Sequence, residues 1–129
     1  MNRVIKFKGK SVDSSEWIKG YYYKECDNTY IIEDRQKVSM LNRNEAVLID
    51  PDTVCQFTGF LDKDGKEIYE GDVIHIGPDY YVVIWVEDLG GFYLKVDYAK
   101  SPCTSPLGAM LCRYDFEVIG NINDEQKGG

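Results

Sequence analysis

A chain of 129 residues, 43% of them hydrophobic and 29% charged, is long enough for one modest core and too apolar for wholesale disorder. A formal net charge of −7 sets it against phosphate backbones and anionic lipid surfaces, which are gripped mainly by Lys and Arg. No stretch nears the roughly 18 apolar residues of a membrane span, and Val4 and Ile5 stand isolated where a secretory leader needs an apolar run, so the chain is expected to stay in the cytoplasm in which it is made.

Ten tyrosines beside five Phe and two Trp lean towards half-buried pleated surfaces. The opening segment alternates Arg3, Lys6, Lys8 and Lys10 with Val4, Ile5 and Phe7, which reads as an edge strand with its cations on the wet face. A local basic patch is the other reading of the same residues. Gly9 to Ser15 is a turn or loop. Glu16–Lys24, with Trp17, Ile18 and Tyr21 to Tyr23, and Thr29–Ile32 flank Asp27-Asn28 and predict a hairpin. Glu33–Lys37 reads as a turn. Val38–Ile49 is ambiguous, with a strand-like start, a helical turn at Leu41–Ala46 and an apolar end.

Asp50-Pro51-Asp52 is the clearest boundary, because Pro51 lacks an N–H and holds Asp50 extended. Beyond it the spacing predicts five strands, around Val54–Gly59, Asp72–Ile76, Tyr80–Val86, Phe92–Val96 and Phe116–Ile122. Asp64-Gly65 is a hairpin turn, and Gly77-Pro78-Asp79 and Gly90-Gly91 are breaks. Tyr80–Val86 is the most apolar run and is expected to be buried on both faces. Asp97–Gly108 is an excursion and Ala109–Tyr114 a short helix. The expected fold is all-β: an N-terminal β-hairpin lobe over 1–50, an SH3-like five-stranded barrel over 51–123 on which that lobe packs, and a polar tail over 124–129.

The chemistry is sparse. Asp62-Lys63-Asp64-Gly65-Lys66-Glu67 lacks calcium-loop spacing, since its glycine directly follows the second Asp, where a hairpin wants it. Cys26, Cys55, Cys103 and Cys112 are dispersed, with no C-x-x-C pair and a lone His75, and are read first as buried free thiols and second as two disulfides. Glu70 and Asp72 flank Gly71, and Glu87-Asp88 precede a turn; such carboxylates are usually solvated. His75, between Ile74 and Ile76, faces away from both, towards water. No catalytic, cofactor or metal residue is therefore assigned, and no enzyme activity is expected. Trp17, Tyr21, Tyr23 and Tyr81 are read first as core residues and second as a stacking groove for a peptide or bases.

One pattern runs along nearly the whole chain. It comprises Ile5-Lys6-Phe7-Lys8-Gly9-Lys10, Glu16-Trp17 with Gly20-Tyr21, Val54 with Gln56-Phe57-Thr58-Gly59, the block Asp62 to Asp72, and Phe116-Glu117-Val118-Ile119-Gly120-Asn121-Ile122. In this it resembles the YopX family, small proteins encoded mainly by phages and prophages of Gram-positive bacteria. Lys8 stands where arginine is expected, and the Tyr98–Leu107 segment follows no family pattern. The resemblance implies a β-rich protein with an SH3-type C-terminal part and carries over no catalytic residue, because the family has no established activity. The expected function is a non-catalytic interaction module in the bacterial host cytoplasm, whose partner is a host or phage protein. The alternatives are nucleic-acid binding through the barrel, which the charge disfavours, and an acidic phosphate mimic acting on a host DNA-binding protein. No membrane partner is expected, and the oligomeric state is left open.

Overall fold

The computed structural model describes residues 4–33, 46–96 and 101–124. Arg3, the readings made for 34–45, the start of the excursion at 97–100 and the tail from 125 onward lie outside the described residues. Those described form ten strands, two short 3-10 turns and one α-helix. The chain divides into two compact units, one holding Met1–Gln56 with 125–129 and the other Phe57–Asp124. The division falls inside a strand, beyond the Asp50-Pro51 boundary.

The first unit is an antiparallel sheet. Its strands are β1 (Phe7–Lys10), β2 (Trp17–Glu25), β3 (Asn28–Glu33), β4 (Ala46–Ile49) and the start of β5 (Cys55–Leu61), in the order β4-β3-β2-β1-β5. The predicted hairpin is β2–β3, but its turn is Cys26-Asp27, one residue earlier than read. Both residues are left-handed, at φ 51° and 68°, and Asn28 already pairs with Glu25. That geometry matches the right-handed twist of the flanking strands.

The N-terminal lysines are not on an edge. β1 pairs with β2 on one side and, through Phe7 with Gln56 and Lys8 with Cys55, with β5 on the other. Lys10 is only 4% exposed, and its backbone N–H donates to Thr53 Oγ1 at 2.8 Å. The ammonium groups of Lys8 and Lys10 lie 4.4 and 5.5 Å from the Trp17 ring centroid, so the alternation serves stems that pack and heads that meet an aromatic face.

Beneath them Ile31, Ile49 and Cys55 are buried with Thr29 and Thr53. A side chain at Gly9 would bring a Cβ within 2.5 Å of Ile49 Cγ2, so this strand can approach the core only as glycine. Past β1 the chain returns to β4: Ser11 bridges Ile49, and Val12 N–H donates to the Leu48 carbonyl at 3.0 Å. The Asp50-Pro51-Asp52 boundary is a 3-10 turn (Pro51–Thr53) capped by Asp50, whose Oδ1 accepts from Asp52 N–H at 3.1 Å.

In the second unit, β5 continues from Phe57 and pairs with β6 (Glu67–Tyr69) across the Asp64-Gly65 turn. A four-stranded antiparallel sheet follows, in the order β10-β7-β8-β9, from β7 (Asp72–Ile76), β8 (Asp79–Val86), β9 (Gly91–Val96) and β10 (Glu117–Asn121). The predicted helix is α1 (Leu107–Arg113). Ile68, Ile74, Ile76, Val83, Leu94, Leu107, Phe116 and Val118 form the core, with Met110 and Tyr81 packed against it.

Two further expectations need correction. β8 is not buried on both faces: Val83 alone is fully covered, while Tyr80 and Trp85 are 54% and 43% exposed. Its apolar run reflects β-propensity on an antiparallel sheet, where one face often meets water.

Nor do the described residues close an SH3-like barrel, because both edges of the four-stranded sheet are occupied by groups outside any strand. On β9, Leu94 O accepts from Cys103 N–H at 2.8 Å and Tyr93 bridges Pro106. On β10, Val118 N–H donates to the Asp62 carboxylate at 3.1 Å and the Val118 carbonyl accepts from Lys66 Nζ at 3.5 Å. A carboxylate and an ammonium thus stand where a neighbouring strand would be.

Gly71 sits at φ +85°, between β6 and β7. A Cβ there would meet Asn121 Nδ2 and Ile122 Cγ1, both at 3.3 Å. Gly71→Val is expected to cost about 2 kcal/mol, from left-handed backbone strain plus crowding, and to lower Tm in thermal unfolding followed by circular dichroism. An unchanged Tm would contradict the strained turn.

Candidate functional site

Two acidic residues of the sequence pattern, Asp62 and Asp72, are buried and used up by backbone and amide donors, so Asp72 is not the solvated turn carboxylate that its place beside Gly71 suggested. Asp62 is 7% exposed; its Oδ1 accepts from Asp64 N–H (2.9 Å) and Lys66 N–H (2.8 Å), and its Oδ2 from Val118 N–H. Burial pushes its carboxyl upward, but the N–H groups of Val118, Lys66 and Asp64, with the Lys66 charge, more than offset this and hold it below the usual carboxylate range.

Asp72 is 1% exposed and accepts from Tyr69 N–H (2.7 Å) and Asn121 Nδ2 (2.8 Å). Asn121 also donates to the Glu70 carbonyl at 3.2 Å and accepts from Asn123 N–H at 2.9 Å. Its own N–H donates to the Asp124 carboxylate at 2.8 Å, so Asp124 caps the end of β10. The Gly71 N–H donates to Val83 O (2.8 Å) and its carbonyl accepts from Ile122 N–H (2.9 Å). The segments Tyr69–Asp72 and Gly120–Ile122 are therefore one hydrogen-bonded knot. Among the described residues no buried polar side-chain atom lacks a partner, so this knot presents no unused group to a substrate.

The remaining residues singled out by sequence are dispersed. His75 lies half-exposed on the outer face of its sheet, as expected, stacked on Tyr80 at 4.7 Å with Glu117 Oε1 3.9 Å from its Nδ1. No Ser, Cys or Lys accompanies that pair among its described contacts. Glu87 and Asp88 sit in a solvated 3-10 turn. All four cysteines are free, but only Cys55 is buried. Cys103 is half-buried and Cys26 and Cys112 are exposed, because a hairpin turn and the outer side of a short helix carry them. Trp17, Tyr21 and Tyr23 belong to the first unit and Tyr81 to the second, so they form no single groove within either. Tyr23 stacks on Tyr30 at 5.3 Å, and Tyr21 is exposed.

A cleft of about 410 Å³ opens in the second unit, between the β7–β8 turn and the C-terminal end of α1. Its lining is Ile76, Gly77, Pro78, Asp79, Tyr81, Met110, Tyr114 and Asp115. Ile76, Tyr81 and Met110 are buried or half-buried and make an apolar floor, whereas Asp79, Tyr114 and Asp115 are exposed and make an acidic, phenolic rim. The Asp79 and Asp115 carboxylates have no hydrogen-bond or ion-pair partner among the described residues. Nothing in the lining pairs a nucleophile with a base, and no described cluster of His, Cys, Asp or Glu could hold a metal ion.

Sequence reading missed these residues. Gly77-Pro78-Asp79 read only as a break and Tyr114-Asp115 only as a helix end, and nothing local shows that the two meet.

Charge is distributed as unevenly as the cleft suggests. Met1–Gln56 with 125–129 has ten cations and ten carboxylates, while Phe57–Asp124 has five and twelve, so the second unit carries the whole −7.

The family model described as YopX protein matches residues 2–127. Among solved structures, the chain is similar to the crystal structure of protein EF1440 from Enterococcus faecalis, with a TM-score of 0.60 and 23% identity over 96% of this chain and 98% of that one. At that identity the likeness is one of fold. No curated protein matches.

Proposed function

The chain belongs to the YopX family, and from that premise we propose that it is a non-catalytic interaction protein, encoded by a phage or prophage and acting in the host cytoplasm on a basic surface of a host or phage protein. The observation that carries this reading is the placement of the entire net charge in the unit that also holds the open acidic cleft. A field of that sign repels phosphate and speeds encounter with cationic protein surfaces. The buried carboxylates support the non-catalytic half of the reading, because Asp62 and Asp72 are held by backbone and amide donors.

Affinity capture on the full chain from nuclease-treated host lysate tests this, followed by reconstitution with the purified captured protein. The expected result is a complex that survives nuclease and weakens as salt rises. Turnover of a defined substrate abolished by a His75→Ala or single carboxylate substitution would overturn the reading.

A further inference from the structure

We propose that the cleft between the β7–β8 turn and α1 is a receptor for one arginine side chain of the partner, a reading that rests on the interaction role above and names its contact chemistry. Three features of the cleft converge on a guanidinium. The floor of Ile76, Tyr81 and Met110 offers apolar and aromatic surface to a flat, weakly hydrated cation and its methylene stem. Two carboxylates from different elements, Asp79 at the start of β8 and Asp115 just beyond α1, supply acceptors that no described residue satisfies. The phenol of Tyr114, 49% exposed on the rim, adds a ring over which a cation can lie.

Lysine suits this site less. Its strongly hydrated ammonium is a point charge, whereas a planar fork can engage an aromatic face and carboxylate oxygens together. An anionic ligand would meet two uncompensated carboxylates. A wholly apolar one would leave them unpaired and partly desolvated. The cleft volume of about 410 Å³ lies at the small end of ligand sites, in keeping with one side chain and its flanking backbone.

The test is an amide-resolved NMR titration of the full chain with a pentapeptide, acetyl-Gly-Gly-Arg-Gly-Gly-amide, and with its citrulline and lysine counterparts. Citrulline keeps the shape and removes the charge. The arginine peptide is expected to bind saturably in the roughly millimolar range of a single side chain, moving the amides of Gly77, Asp79, Tyr114 and Asp115. Citrulline should bind about tenfold more weakly and lysine about threefold. Asp79→Asn and Asp115→Asn should each weaken the arginine peptide about threefold, and together about tenfold. Both positions are exposed, so an otherwise unchanged amide spectrum will show that the variants fold. Equal binding of the citrulline peptide, or shifts that avoid these four amides, would overturn the assignment. A partner still captured from lysate in that event would leave the interaction role intact with another contact surface, whereas loss of capture alone would leave the cleft chemistry as measured.

Discussion

Asp72→Ala is expected to be strongly destabilising, costing about 3–4 kcal/mol in denaturant unfolding. The carboxylate is almost fully buried and is the acceptor for Tyr69 N–H and for Asn121 Nδ2. Removing it takes the 2.7 Å acceptor from Tyr69 N–H and the shorter of two acceptors from Asn121 Nδ2, which keeps the Glu70 carbonyl, at about 1–3 kcal/mol for each lost bond, and leaves a small void. The effect should also be non-additive with Asn121→Ala. Once Asp72 is gone, the Asn121 amide has lost its shortest partner, so the double variant should be less destabilised than the sum of the singles by about 1 kcal/mol or more. Additive losses, or an Asp72→Ala cost below about 1 kcal/mol, would show that the knot joining Tyr69–Asp72 to Gly120–Ile122 is not cooperative.

Asp62→Asn is expected to cost about 2–3 kcal/mol at neutral pH and much less in acid. The substitution replaces a charged acceptor of three backbone N–H groups with an amide that can accept on one atom only. The pH dependence follows from the sign of the shift. The folded carboxyl is held below its ordinary value of 3.8, so the unfolded state binds the proton more tightly. The stabilisation is therefore complete above the unfolded pKa and is lost as pH falls through the folded one. Unfolding free energies of the two proteins should differ by a constant amount from pH 7 down to about 5 and converge below about pH 4. A gap that widens in acid would contradict the capping of β10 by this turn.

These two residues show how much of the molecule was legible beforehand. The strands Asp72–Ile76, Tyr80–Val86 and Phe92–Val96, the Asp64-Gly65 turn and the short helix were readable, because period-two alternation and glycine chemistry are local. The all-β class follows from them. What was not readable is long-range. Lys8 and Lys10 look like edge cations until Cys55 and Gln56 are seen to pair with the far side of β1. Barrel closure was a fair inference from five strands, yet the edge of β10 is filled by an aspartate from another turn, and a side chain standing in for a strand leaves no periodic trace. Asp79, Tyr114 and Asp115 were invisible as a group for the same reason: each is unremarkable in its own turn, and only the packing of α1 beside the β7–β8 turn brings them to one cleft. Within the family pattern, Asp62, Gly71, Asp72 and Asn121 all make backbone or knot contacts, and none of the four lines the cleft.

The nature of the partner is read most directly by titrating the labelled full chain, at physiological salt, against short single-stranded and duplex DNA and RNA and against the purified captured protein. The predicted result is saturable binding to the protein with a Kd below about 1 µM that weakens as salt is added, and no saturable binding to any of the nucleic acids. Sub-micromolar binding of DNA or RNA to the isolated chain, with the protein partner held no more tightly, would contradict it.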